Sequence, residues 1–312
     1  MLDARRVPRM APEPATMAVG TLPRRTVELP SGTVRYLRHG RGSPLLLVHG
    51  IPTSARLWEP LLGALGEHHD CIVPDLLGLG ASVPAPGADL SSGGQATMLV
   101  ELLDALGVDR CALVLHDQGG AHGQTLLVDH GDRIDAVAFV DVVCLDNWPV
   151  PAVDVLVALA NRRWLLRALC RSRLLPTVMR RVWPLPQTSF RGLPRALQDE
   201  WLAPLVEGGP RLERWADYVA AQSRAWTDRA IPTLRAWERP AVVIWAAGDR
   251  HLPVDWAARL AAEIPGCDGG PVLIPHAAHF LQPEVPQTLA AELLTFLARA
   301  LSDRDPEETN VR

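Results

Sequence analysis

CALVLHDQGG, residues 111–120, is an apolar run that stops at a polar residue and then turns on two glycines. A helical pattern, Ala121 to Asp129, follows at once. Together they read as a buried strand, a sharp bend and a helix, with the side chain of Asp117 held up at the bend. Small neighbours there let the helix approach the strand closely. A carboxylate so held can attack an alkyl carbon directly and form a covalent ester. The plainer reading makes Asp117 a cap for the helix behind it, since Asp is a favoured N-cap residue.

On both sides the chain repeats this alternation. Thr26–Pro30 and Thr33–Gly40 read as a hairpin around Ser31-Gly32. PLLLVH (44–49) is a continuous apolar run, as a strand buried on both faces requires. Ser54 is placed to cap a helix over Ala55–Leu65. CIVP (71–74) leads into a Gly-rich loop, and Gln95–Leu106 has helical periodicity ending at Gly107. AVAFVDVV (136–143), AVVIWA (241–246) and PVLIP (271–275) are further strands, and Val254–Ile264 and Val285–Leu301 are helices. Strands alternating with helices imply βαβ units and a mostly parallel sheet of the α/β class. In such sheets the active site lies beyond the carboxyl ends of the strands, where Ile51, Asp117 and Asp141 fall.

The pattern breaks over 145–234. Strand runs vanish, prolines recur and six tryptophans appear: Trp148, Trp164, Trp183, Trp201, Trp215 and Trp226. This segment reads as an inserted helical cap on a core formed by 23–144 and 235–301. Residues 1–22, broken by prolines, read as a flexible extension without a signal-peptide core, and 302–312 as a disordered charged tail.

A length of 312 residues, 48% of them hydrophobic, supplies a large core. No apolar stretch reaches the roughly 18–20 residues that span a bilayer. A net charge of −4 does not suggest a nucleic-acid partner. Arg162 to Arg181 form a local basic cluster that reads as one face of an amphipathic cap helix. Five cysteines without CxxC spacing fit a reducing, cytoplasmic compartment. The ten histidines are scattered without a matching ligand set, so no metal site is expected.

Asp117, Asp249 and His279 each follow a strand, in that order. Asp249, in GDRHLP, could equally be a turn residue, and His279 competes with His276. HGIPTSARLW (49–58), VPDLLGLGAS (73–82), LVLHDQGG (113–120) and HFLQPEVP (279–286) together resemble the blocks of the α/β-hydrolase superfamily over about residues 25–300. The likeness is greatest to its aspartate-nucleophile branch, the epoxide hydrolases and haloalkane dehalogenases. The resemblance implies an eight-stranded sheet with a helical cap after the sixth strand. It also implies Asp117 as nucleophile, His279 as base, Asp249 as acid and an oxyanion hole made by the backbone N–H groups of Ile51 and Gln118. One dehalogenase group takes its acid from the end of the sixth strand, which makes Asp141 the alternative.

The chain departs from both subfamilies where the leaving atom is held. Dehalogenases commonly carry Asn at the position of Ile51 and Trp at that of Gln118; epoxide hydrolases usually raise two cap tyrosines. Here Tyr218 is the one cap tyrosine, and Trp148, Trp164 and His116 are the other candidate donors. Epoxide opening on a hydrophobic substrate is the expected function, and the tryptophans suggest an aromatic or polycyclic one. Dehalogenation is the alternative, and non-hydrolytic binding or cofactor-free rearrangement is the alternative of another class. The expected partners are a small-molecule substrate and water, with no cofactor, nucleic acid or membrane; a homodimer is compatible with the class.

Overall fold

The computed structural model of the protein describes residues 18–302; the tail expected from 303 on and the first 17 residues of the expected extension lie outside the described residues. The strands are β1 (Arg25–Leu29), β2 (Gly32–His39), β3 (Ser43–Val48), β4 (His69–Pro74), β5 (Val83–Pro84), β6 (Cys111–Asp117), β7 (Ile134–Val142), β8 (Ala241–Ala246) and β9 (Val272–Ile274). Eight of them run in the order β1-β2-β4-β3-β6-β7-β8-β9, and the two-residue β5 pairs with β2. The first two ladders are antiparallel and those from β4 to β9 are parallel.

Alternation along the central strands explains the sheet's burial on both faces. Leu46 and Val48 of β3, with Leu113 and Leu115 of β6, join one core cluster. Leu45 and Leu47, with Ala112 and Val114, join the other. Helices cover both faces: α1 (Glu59–Leu65), α2 (Ser92–Ala105) and α3 (Gly119–His130) before β7, and α10 (Asp255–Glu263), α11 (Leu281–Glu284) and α12 (Pro286–Ala300) after β8. Among the described residues no helix is long and apolar enough to cross a membrane.

Between β7 and β8 lie α4 (Pro151–Ala160), α5 (Arg163–Arg171), α6 (Leu174–Arg181), α7 (Arg195–Glu207), α8 (Gly209–Ala220) and α9 (Ala225–Arg235). The boundary expected at 234 needs correction, because α9 packs along α3 of the core. Arg229 pairs with Asp129 of α3, and Thr227 donates to the Leu145 carbonyl at 2.7 Å.

The extension expected over 1–22 ends earlier than its last residue. Buried Glu59 accepts the N–H groups of Gly20 at 2.6 Å and Leu22 at 2.7 Å, pinning that segment to α1. The helix expected over Ala55–Leu65 is a 3-10 turn, Ala55–Leu57, followed by α1, whose first turn holds Pro60. Ser54 does not cap it. Its hydroxyl donates to Glu200 of α7, while Asp75 Oδ1 accepts the Ala55 N–H at 2.7 Å.

Candidate active site

Asp117 ends β6 with φ of 51°, in the left-handed region that non-glycine residues rarely enter. The strand cannot continue from there, so the chain turns straight into α3. Closeness is set by the small residues: a Cβ on Gly119 would stand 2.5 Å from the His49 carbonyl oxygen. The Asp117 carboxylate is not spent on capping α3. Its Oδ1 accepts the Ile51 N–H at 2.8 Å, and its Oδ2 lies 3.3 Å from His279 Nε2.

The Ile51 amide is aimed by the loop after β3. The Gly50 carbonyl accepts from Thr53 N at 3.0 Å and from Thr53 Oγ1 at 2.8 Å. His49 Nδ1 donates to the same carbonyl, and its Nε2 accepts the Leu76 N–H at 3.1 Å, which fixes the tautomer. Gly50 must lack a side chain, because a Cβ there would stand 2.2 Å from Asp117 Oδ1 and 2.5 Å from the Gln118 amide nitrogen. The Ile51 amide thus holds one oxygen of the Asp117 carboxylate, and the Gln118 amide also hydrogen-bonds that carboxylate.

His279 follows β9 and α11 begins just after it. Its Nδ1 donates to Asp249 Oδ2 at 2.7 Å, while Asp249 Oδ1 accepts the N–H groups of His251 at 2.7 Å and Leu252 at 3.0 Å. Burial disfavours the imidazolium, but Asp249 and the Asp117 hydrogen bond outweigh it and raise the His279 pKa well above the ordinary histidine value. Burial likewise opposes the Asp117 charge; the His279 hydrogen bond and charge, His116 and the Gln118 amide overcome it and hold the carboxyl below its usual range.

Asp141, the alternative acid, is not the partner of His279. Its Oδ1 accepts the Ala246 N–H at 2.9 Å and its Oδ2 is buried without a partner. Burial and the nearby Asp249 charge raise its pKa well above the carboxylate range, which disfavours the charged form that would balance an imidazolium. Asp249→Asn is accordingly expected to lower turnover by about 10²–10⁴-fold, and Asp141→Asn by less than about tenfold. Steady-state assays of the two variants separate the roles.

The remaining candidates need correction. Trp164 is 72% exposed on α5 and faces solvent. Trp148 is buried and does not line the cavity over Asp117. The Tyr218 hydroxyl is held by His122 Nε2 at 2.9 Å, and His122 Nδ1 meets Ser92 Oγ at 3.0 Å, so that phenol is tied into the α2–α3–α8 packing. His116 lies behind His279, ring centres 4.8 Å apart, and donates through Nε2 to the His279 carbonyl at 2.9 Å. Burial and the His279 charge push its pKa down to about 3, so it packs behind His279 as a neutral ring. The Gln118 side chain turns to Gln222, with Nε2 donating at 3.1 Å. None of the insertion's tryptophans lines the cavity, and Trp201 and Trp215 are packing core.

The cavity over Asp117 is walled by Ile51, by Val150, Val153 and Leu156 around α4, and by Met179 of α6. Its free volume is about 40 Å³, room for a few waters. That space gives no support to a polycyclic ligand.

Two features were not legible as functional residues. His251, in GDRHLP, lines the cavity beside His279, ring centres 5.7 Å apart, where the sequence reads as a turn. Glu284, in HFLQPEVP, is buried and accepts from Ser189 Oγ, Phe190 N and Arg191 N at Oε1 and from Ala278 N at Oε2, over 2.6–3.0 Å. It clips the segment before α7 onto the loop that carries His279. The signal available for it was an acidic residue inside an apolar stretch.

The family model described as alpha/beta hydrolase fold matches residues 43–286. The chain belongs to the α/β-hydrolase fold family. Among the family's curated proteins it is 34% identical over 106 residues to "Haloalkane dehalogenase 2" of Mycobacterium bovis, covering 34% of this chain and 37% of that one. It is 34% identical over 124 residues to "Soluble epoxide hydrolase" of Corynebacterium sp. strain C12, covering 38% of this chain and 43% of that one. The matched stretches thus span about two fifths of these relatives' length. An alpha/beta hydrolase fold protein from Burkholderia ambifaria superposes with a TM-score of 0.76 at 23% identity, covering 90% of this chain and 99% of that structure, a likeness of fold.

Proposed function

We propose that this α/β-hydrolase-fold protein hydrolyses a small, neutral, apolar epoxide through an ester on Asp117, with helices α4–α8 as the cap over the site. The observation that carries the reading is the buried line Asp117–His279–Asp249 with the Ile51 amide on Asp117 Oδ1, at the floor of an apolar cavity. Oδ1 is held, so Oδ2 is the attacking atom. The ester removes the Asp117 charge and with it part of what keeps His279 protonated, so the imidazole becomes a base after the first step. It then activates water against the ester carbonyl, and the amides of Ile51 and Gln118 receive the charge on Oδ1. No arginine lines the cavity, which disfavours a carboxylate-bearing substrate.

A halide leaving group is less well served. Ile51 offers the cavity no side-chain donor, and Gln118 gives its amide to Gln222. The test is turnover of a panel of terminal epoxides and primary haloalkanes. Diol formation is the expected result; halide release without any diol would replace this reading by dehalogenation.

A further inference from the structure

An epoxide oxygen leaving as an alkoxide needs a proton donor, and the groups expected to supply it point elsewhere. The cavity's polar lining besides the triad consists of Thr188 and His251. Thr188 spends its hydroxyl proton on the Leu185 carbonyl at 2.7 Å. His279 already has Nδ1 on Asp249 and Nε2 facing Asp117. His251 differs: its Nε2 is buried and has no hydrogen-bond partner, and its backbone is anchored because its N–H binds Asp249 Oδ1 at 2.7 Å. A buried imidazole nitrogen without a partner is costly unless a ligand or water completes it.

Resting on the ester reading above, we propose that His251 is the acid that meets the departing oxygen, in the role the family gives to cap tyrosines. Asp117 Oδ2 bonds to a ring carbon while the carbon–oxygen bond breaks with its electron pair passing to oxygen. The His251 imidazolium gives that oxygen its proton, leaving a hydroxyl and a neutral ring that solvent reprotonates. The titratable groups around the ring are His279, Asp249 and Asp117. Burial and His279 lower its proton affinity against the pull of the two carboxylates. The donor form is therefore populated below the ordinary histidine range, and epoxide alkylation speeds up as pH falls through it. A halide departs without a proton and should be indifferent to this group.

The test measures adduct formation on Asp117 by intact mass in His279→Gln protein, with styrene oxide and 1-bromohexane as probes. Adding His251→Phe is expected to slow the styrene oxide adduct by about 100-fold or more, to abolish its rise at low pH, and to change the bromohexane rate by less than about threefold. His251→Gln, which keeps a donor, should recover part of the epoxide rate. Equal slowing with both probes, or none with either, would make His251 a wall residue only. A bromohexane adduct without a styrene oxide adduct in the His279→Gln parent would give the acid role to His279. No adduct from either probe in that parent would remove the ester reading itself, a failure distinct from that of His251.

Discussion

Asp117→Asn is expected to reduce turnover by at least about 10⁴-fold while leaving the protein folded, because no other group at the cavity floor can form the ester. Asn is the appropriate probe: it tolerates the left-handed backbone at φ 51° better than Ala, and its carbonyl can still accept the Ile51 N–H. The substitution removes a charge as well as a nucleophile. Since Asp117 helps Asp249 raise the His279 pKa, that pKa should fall in the variant, and NMR titration of the imidazole would register it. The carboxyl is held below the ordinary aspartate range, so its pairing contributes stability above that range and loses it as pH falls through the folded value. Acid unfolding of the variant should be correspondingly less steep. Substantial turnover by Asp117→Asn would assign the chemistry to another group.

His279→Gln should separate the two steps. Alkylation needs Oδ2 and its oriented carboxylate, both still present, whereas hydrolysis needs a base within reach of water. The variant is expected to show one rapid equivalent of substrate consumption and then to stop, with the whole epoxide mass added at Asp117. A haloalkane would add its mass less hydrogen halide. Continued turnover without an accumulating adduct would mean that water attacks the substrate directly.

The strands were readable because each central one is a largely apolar run buried on both faces. Gly50 and Gly119 were readable at the level of motif; the structure supplies the reason, a carboxylate oxygen and a carbonyl within 2.5 Å of where their side chains would begin. The line Asp117–Asp249–His279 was legible from order and placement, and its geometry follows from three loops at the carboxyl end of the sheet. The insertion was not readable in this way. Trp164 and Trp201 stand in similar helical patterns, yet one is 72% exposed and the other 2%, because which face a short helix turns inward is set by its neighbours rather than its own sequence. Tyr218 looked available because its partner, His122, lies 96 residues earlier in the chain. Asp141 and Asp249 are both acids near strand ends, and only the hydrogen bonds show that Asp141 holds the Ala246 N–H while Asp249 holds His279.

The most direct test of the central claim is a single turnover of the wild-type protein, in excess over an epoxide it accepts, in water enriched in the heavy oxygen isotope. An ester on Asp117 requires the water oxygen to enter the carboxylate and the product to leave with an oxygen that belonged to the protein. The account predicts label in the peptide containing Asp117 and an unlabelled diol from the first turnover. Label in the diol with none in that peptide would contradict it.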